Sequence, residues 1–295
     1  MDVAITGASG LIGRALTDHL TGAGHRVLRL VRSGDQPDTA RWDPEAGTID
    51  AEALEGIDAV VHLAGEGIGE KRWTPEQKAR IRSSRVSGTT LVATTLASLR
   101  RPPTAFLSGS AIGWYGDTGD RAVDESAPAG TDFLATLCVD WEAATAVAEA
   151  AGIRTVHLRT GIVLSPDGGA LGRQLPFFRL GLGGKVGSGR QYQSWISLLD
   201  EVRAITWLLG SDVAGPVNLT APHPVTNAEF TKALGRAVHR PTTVLPIAGP
   251  RLLLGRELAD ALLLTSQRVL PAALSAAGFE FVHPALDGAL GDLLR

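Results

Sequence analysis

Gly7, Gly10 and Gly13 stand where an apolar β-type run, Val3–Thr6, gives way to a helical pattern beginning at Leu11. Strand, glycine turn and helix in that order are the context that a dinucleotide-binding loop requires. Glycine allows the tight turn and lets the main chain approach a diphosphate. The N-terminus of the following helix presents open N–H groups and a partial positive charge. Gly7, Ser9, Gly10, Leu11, Ile12 and Gly13 are therefore the expected diphosphate cradle. A glycine-rich turn without a ligand is the competing reading, and the flanking strand and helix weigh against it.

At the end of the second apolar run the chain reads Leu30-Val31-Arg32-Ser33. A site specific for NAD usually offers an acid there to the ribose hydroxyls. Arg32 in its place, with Ser33 as a second donor, suits the extra 2′-phosphate of NADP(H) through charge-assisted hydrogen bonds. Asp35 nearby keeps a solvated surface arginine as the alternative.

Few other side chains offer chemistry. Cysteine occurs once, as Cys138, which excludes an internal disulfide and a cysteine-rich zinc site and fits a reducing compartment. The seven histidines show no metal-ligand spacing, so no metal is expected. Tyr115 and Tyr192 are the only tyrosines, and the residues four positions on are Gly119 and Ile196. Neither tyrosine therefore has a lysine four positions on, where it could lower the phenol pKa for proton exchange with a carbonyl or hydroxyl. Tyr192 and Trp195, with Gln191 and Gln193, follow the glycine- and proline-rich stretch Ser165 to Gly189 and are candidates for a substrate mouth.

Strands and crossover helices must hold these residues. Val3–Thr6, Val27–Val31, Ala59–Ala64, Ala105–Ser108 and Thr155–Leu158 read as buried strands. Leu11–Gly24, Pro75–Leu99 and Asp132–Ala151 carry the three- and four-residue apolar spacing of helices. The expectation is an α/β fold, a Rossmann-type doubly wound parallel sheet. Further on, Glu201–Leu209 reads as helix, Pro216–Thr220 as strand, and Asn227–Val238 as a helix capped by Thr226. Residues 1–240 form the expected NAD(P)-binding domain, with substrate-region segments interleaved at about 165–195, and 241–295 a small, mainly helical C-terminal cap. Within that cap, Leu252 to Leu264 reads as a core helix, because Arg256, Glu257 and Asp260 would be costly in hydrocarbon.

At 295 residues and 44% hydrophobic composition the chain can bury one large core plus a small appendage. Its formal charge of −3 is scattered, without the basic stripe of a nucleic-acid binder. A small-molecule partner and a cytoplasmic location are expected, with no signal peptide and no membrane association; a homodimer is one assembly open to the chain, whose oligomeric state the sequence does not fix.

Beyond the glycine loop, His62-Leu63-Ala64-Gly65, Leu107-Ser108-Gly109-Ser110 with Tyr115-Gly116, and Leu158-Arg159-Thr160-Gly161 resemble segments of extended short-chain dehydrogenases/reductases. The whole chain resembles one atypical branch, the epimerase-family proteins associated with nucleoside-diphosphate sugars. Matching segments are Arg41-Trp42-Asp43-Pro44, Ser84-Arg85-Val86, Asp140-Trp141-Glu142-Ala143, Gly181-Leu182-Gly183-Gly184, Ser194-Trp195-Ile196 and Gln267-Arg268-Val269-Leu270-Pro271. The resemblance puts Leu134 and Cys138 at the tyrosine and lysine positions of the Tyr-x-x-x-Lys pair that the wider superfamily uses. It makes Ser110 the serine that binds the reacting oxygen, and leaves Tyr115 and Cys138 as further catalytic candidates. Leu63, Ala64, Gly65, Ser108 and Ile162 join the cofactor-binding set. Arg85, where related enzymes carry asparagine, would point to the phosphates or the active site. Ser197 stands where relatives often carry histidine, just before Asp200 and Glu201. The implied function is an NADP(H)-dependent oxidoreductase or epimerase acting on a small carbonyl or nucleotide-sugar-like substrate. The alternative is an NADP(H)-binding redox sensor with little catalysis.

Overall fold

The structure, a computed structural model, describes residues 1–34 and 36–295; Asp35 lies outside the described residues. Eight strands form the central sheet: β1 (Asp2–Thr6), β2 (Arg26–Val31), β3 (Thr39–Asp43), β4 (Thr48–Ile49), β5 (Ala59–His62), β6 (Ala105–Ala111), β7 (Arg154–Thr160) and β8 (Gly215–Leu219). Their spatial order is β8-β7-β6-β5-β1-β2-β3-β4, parallel throughout except for the antiparallel edge strand β4. The inner strands are buried on both faces, which explains their unbroken apolar runs.

Helices cover both faces, and α5 (Gly169–Arg179) packs beside the segment Ile162–Ser165. On one side α1 (Leu11–Gly22) packs on α6 (Leu198–Leu209), joining Leu16, Leu20, Val202, Ile205 and Leu208 to the inner strands. On the other, α2 (Pro75–Ser98) and α4 (Ala146–Ala150) complete a core with Val92, Leu96, Phe106 and Ala148, and α3 (Phe133–Ala143) packs on α2 and β6. Each such leucine contributes about 1.5–3 kcal/mol by leaving water. From β1 the chain turns to β2 on one side and later to β5 on the other. The C-terminal ends of β1 and β5 thus border a topological switch point, where open α/β sheets bind ligands.

Local chemistry moves several boundaries. The strand expected over Ala59–Ala64 stops at His62, because the amides of Leu63 and Ala64 turn to the Thr6 hydroxyl at 3.1 and 3.3 Å. The helix expected over Asp132–Ala151 is two helices. Thr145 lies at their junction, its hydroxyl engaging the Glu142 carbonyl at 2.8 Å and the Glu149 carboxylate at 2.6 Å. Thr226 does cap α7 (Asn227–Ala237), in a full capping box with Glu229.

The C-terminal segment carries α8 (Ala248–Leu254), α9 (Arg256–Leu263), α10 (Ala272–Ala276) and α11 (Leu286–Leu293). The core helix expected from Leu252 to Leu264 does not form. Gly255, at φ +87°, separates α8 from α9, and α8 buries none of its residues, with Leu252 80% exposed. The segment is tied back at several points: Thr243–Leu245 pairs with Gly184–Val186, Arg268–Val269 pairs with Ala122–Val123, and α11 packs on α7. No helix of the described residues is long and apolar enough to cross a membrane.

Candidate cofactor cleft and active site

A cleft of about 860 Å³ opens at the C-terminal ends of β1, β2 and β5. Gly7, Ser9 and Gly10 form its floor, Arg32 and Ser33 one end, Leu63, Ala64 and Gly65 a wall, and Trp42, Arg80 and Ser84 the far side. Gly7 has φ +69°, and a Cβ there would lie 2.8 Å from the Ala64 nitrogen. A Cβ at Gly13 would lie 2.2 Å from the Gly7 carbonyl oxygen, so only glycine lets α1 start this close to β1. Gly10 is the N-cap and has no side chain to cap with, and the first turn contains no acid. The opening amides of α1 therefore remain available to an anion, and this cradle fits a dinucleotide diphosphate. Arg32 and Ser33 are exposed at the position where a 2′-phosphate would reach them.

Behind the wall, Thr6 organises the backbone. Its oxygen accepts from Leu63 and Ala64, leaving its hydrogen for His62 Nδ1 at 2.7 Å, which assigns the ring proton to Nε2. His62 is fully buried and held neutral, its pKa lowered to about 4 by burial and by the nearby Arg85 charge. Of the two directions the resemblance implied for Arg85, the phosphates are not reached, because Arg85 does not line the cleft. Its Nη1 donates to the Glu66 and Ile81 carbonyls at 3.0 and 3.2 Å, and its guanidinium lies 4.9 Å from the Trp141 ring. It props the Gly65-Glu66 loop from beneath, and burial lowers its pKa to about 10.

The three catalytic candidates lie under the ends of β6 and β7, outside the cleft just described. Ser110 donates its hydroxyl proton to Glu142 Oε1 at 2.6 Å. Glu142 in turn binds Arg159 twice, from Nε at 2.8 Å and Nη2 at 2.9 Å. Burial alone would lower the Arg159 pKa, but hydrogen bonds and charge from Glu142 raise it above the usual arginine value. Arg159 Nη1 donates to the Tyr115 hydroxyl oxygen at 3.0 Å, and Tyr115 donates to Asn218 Oδ1 at 2.7 Å. Burial raises the Tyr115 pKa against the opposing Arg159 charge. Cys138 is 3% exposed, and its thiol pKa is pushed up to about 12 by burial and by Glu142. It behaves as a small apolar side chain against the Ala111 carbonyl, not as a thiolate.

Ser108 is fully buried, and Ile162 is half-buried with its amide on the Ser194 carbonyl at 2.9 Å. Trp195 is not at a substrate mouth: it is fully buried and its Nε1 donates to the His223 carbonyl. Gln191 likewise serves backbone, donating to the Val186 and Leu263 carbonyls. Tyr192 lies under the Arg268 guanidinium at 4.9 Å, and Gln193 Oε1 is buried without a partner among the described residues.

Two features escaped sequence reasoning. The Glu142–Arg159 pair was signalled only by charged residues inside apolar elements. Glu201, in the first turn of α6, is fully buried, and among the described residues its carboxyl's only hydrogen bond comes from the Thr160 hydroxyl at 2.9 Å. Burial raises its pKa to about 8, against the lowering effect of that hydrogen bond. No group of three or more His, Cys, Asp or Glu able to hold a metal occurs among the described residues.

Residues 3–220 match the NAD dependent epimerase/dehydratase family. The chain belongs to that family. Residues 245–293 match a domain family of unknown function, DUF1731. The epimerase family protein Mb2239 of Mycobacterium bovis is 51% identical, covering 98% of this chain and 96% of that protein. Among solved structures, the human epimerase family protein SDR39U1 with NADPH superposes with a TM-score of 0.93 at 35% identity, over 100% of this chain and 99% of that one. A nucleoside-diphosphate sugar epimerase from Corynebacterium glutamicum gives 0.83 at 38% identity, over 100% of this chain but 58% of that one. Within the epimerase/dehydratase family, this member thus keeps the glycine cradle and lacks the Tyr-x-x-x-Lys pair.

Proposed function

We propose that this epimerase-family protein is an NADP(H)-dependent oxidoreductase or epimerase acting on a small carbonyl or nucleotide-sugar-like substrate. The observation that carries the reading is the open N-terminus of α1, framed by Gly7 and Gly13, in one cleft with Arg32 and Ser33. NADPH in the human SDR39U1 structure supports it. The first-turn amides hold the diphosphate, Arg32 and Ser33 the 2′-phosphate, and Leu63, Ala64 and Gly65 the adenosine side. When bound, the nicotinamide supplies hydride transfer. Ser110 gives its proton to the hydrogen bond with Glu142, which leaves its oxygen as an acceptor, suited to a substrate hydroxyl better than to a carbonyl. Calorimetric titration of wild type and Arg32→Ala with NADPH and NADH tests the cofactor. A selective loss for NADPH is expected, and equal losses for both would remove Arg32 from phosphate recognition.

A second reading, an NADP(H)-binding sensor with little turnover, is favoured by the burial of Tyr115 and Cys138 in their own hydrogen bonds. Without a general acid, rates fall by about 10²–10⁴-fold. A carbonyl and nucleotide-sugar library followed by NADPH absorbance separates the two. A tight cofactor complex inert to every compound favours the sensor.

A further inference from the structure

Glu201 is a buried carboxyl with one free oxygen. Its Oε1 accepts from Thr160, and its Oε2 has no partner among the described residues. Among the described residues the elements packed around it bring it no countercharge: Arg154, on the face of β7 that carries Thr160, gives its guanidinium to the Val213, Leu208 and Leu209 carbonyls, and the His283 ring bonds Ser197 and Asp292. Arg14, Asp18 and His19 of α1 are exposed, and Ala105–Ala111, Ile162–Ser165 and Trp195–Ser197 carry no ionisable side chain. On α6 itself, Asp200 is engaged by Arg203 and by the amides of Val282 and His283. Arg159, next to Thr160 on β7, projects from the opposite face of the strand to Glu142. Among the described residues, Thr160 is the one polar group hydrogen-bonded to this carboxyl.

Its location gives it a role. Thr160 ends β7, flanked in register by Ala111 of β6 and Leu219 of β8. A dinucleotide whose diphosphate lies on Gly7–Gly13 and whose adenosine lies toward Arg32 must extend the other way, over the ends of β6 and β7. A nicotinamide bound in this way would lie near the half-buried Thr160, whose hydroxyl bonds the Glu201 carboxyl.

We propose that Glu201 exchanges its proton with solvent in step with the charge on the nicotinamide, releasing it when NADP⁺ binds and keeping it when NADPH binds. The inference rests on the NADP(H) reading above. The oxidised ring is a cation and the reduced ring is neutral, and a cation in a water-poor site favours the carboxylate. The phosphates are common to both forms, so their own titration cancels in the comparison. With its carboxyl titrating near pH 8 in the free protein, Glu201 is protonated at neutral pH and has a proton to give. Because NADP⁺ binding releases that proton, affinity for NADP⁺ relative to NADPH rises with pH up to about 8 and levels off above it.

The test is calorimetric titration of the full-length protein with NADP⁺ and with NADPH at about pH 7.5, in Hepes and in Tris, whose ionisation enthalpies differ. Wild type is expected to release more protons with NADP⁺ than with NADPH, by about half a proton or more. Glu201→Gln is expected to bind both cofactors with equal proton counts. Equal counts in wild type, or a difference that survives in Glu201→Gln, would overturn the proposal. Absence of binding heat with both cofactors would instead defeat the NADP(H) reading. Should the variant not fold, infrared difference spectra of wild type carrying ¹³C-labelled glutamate decide the matter. The protonated-carboxyl stretch must disappear on adding NADP⁺ and persist with NADPH, and a band unchanged by NADP⁺ would refute the assignment.

Discussion

Glu142 and Arg159 meet beneath the ends of β6 and β7 as a two-pronged pair, both side chains less than a tenth exposed. The pair fixes the direction of Ser110 on one side and Tyr115 on the other. Removing one partner strands the other charge in the core. Glu142→Ala is expected to lower stability by about 3–5 kcal/mol, and the joint replacement Glu142→Leu with Arg159→Met by clearly less. Urea unfolding midpoints measure both, and an additive double variant would show that the two residues do not act as a pair.

Gly13→Ala places a methyl group 2.2 Å from the Gly7 carbonyl oxygen, so the turn must open. Cofactor affinity is expected to fall steeply. Arg32→Ala should leave the turn intact and weaken NADPH by about 10- to 100-fold, the range for losing a hydrogen bond to a charged group. NADH affinity should change little, and fluorescence titration reads both.

Two buried groups set the pH limits of stability in opposite directions. His62 has its pKa lowered to about 4, so the unfolded chain binds its proton more readily, and stability falls as pH drops from about 6.5 through 4. Glu201 has its pKa raised to about 8, so its contribution is complete below about 4.5 and is lost as pH climbs through 8. Each shift corresponds to a few kcal/mol at full extent. Denaturation curves at several pH values should show the alkaline slope shrink in Glu201→Gln while the acid slope remains.

The Cys138 thiol, with its pKa pushed up to about 12, should resist iodoacetamide in the native protein at about pH 8 and react once urea unfolds the chain. Intact-mass measurement reports the outcome. Rapid native labelling would show that the thiol is reachable from the cleft.

The local sequence alone determined the cradle and the frame around it. Glycine at positions 7, 10 and 13 between a strand and a helix can be read because φ freedom and close approach are properties of the residue itself. Buried parallel strands announce themselves as apolar runs, which is why β1, β2 and β5–β7 were legible and the short edge strand β4 was not. Leu252–Leu264 misled because apolar composition does not say which face meets a neighbour, and Gly255 turned α8 outward. The ionisable network belonged to the tertiary structure. Whether Glu142 is a surface charge or half of a buried pair depends on Arg159, 17 positions away. Whether Glu201 is an ordinary acid or a neutral one depends on how completely α1 and the sheet exclude water from it. Desolvation sums over everything packed around a group, and no local spacing encodes that sum.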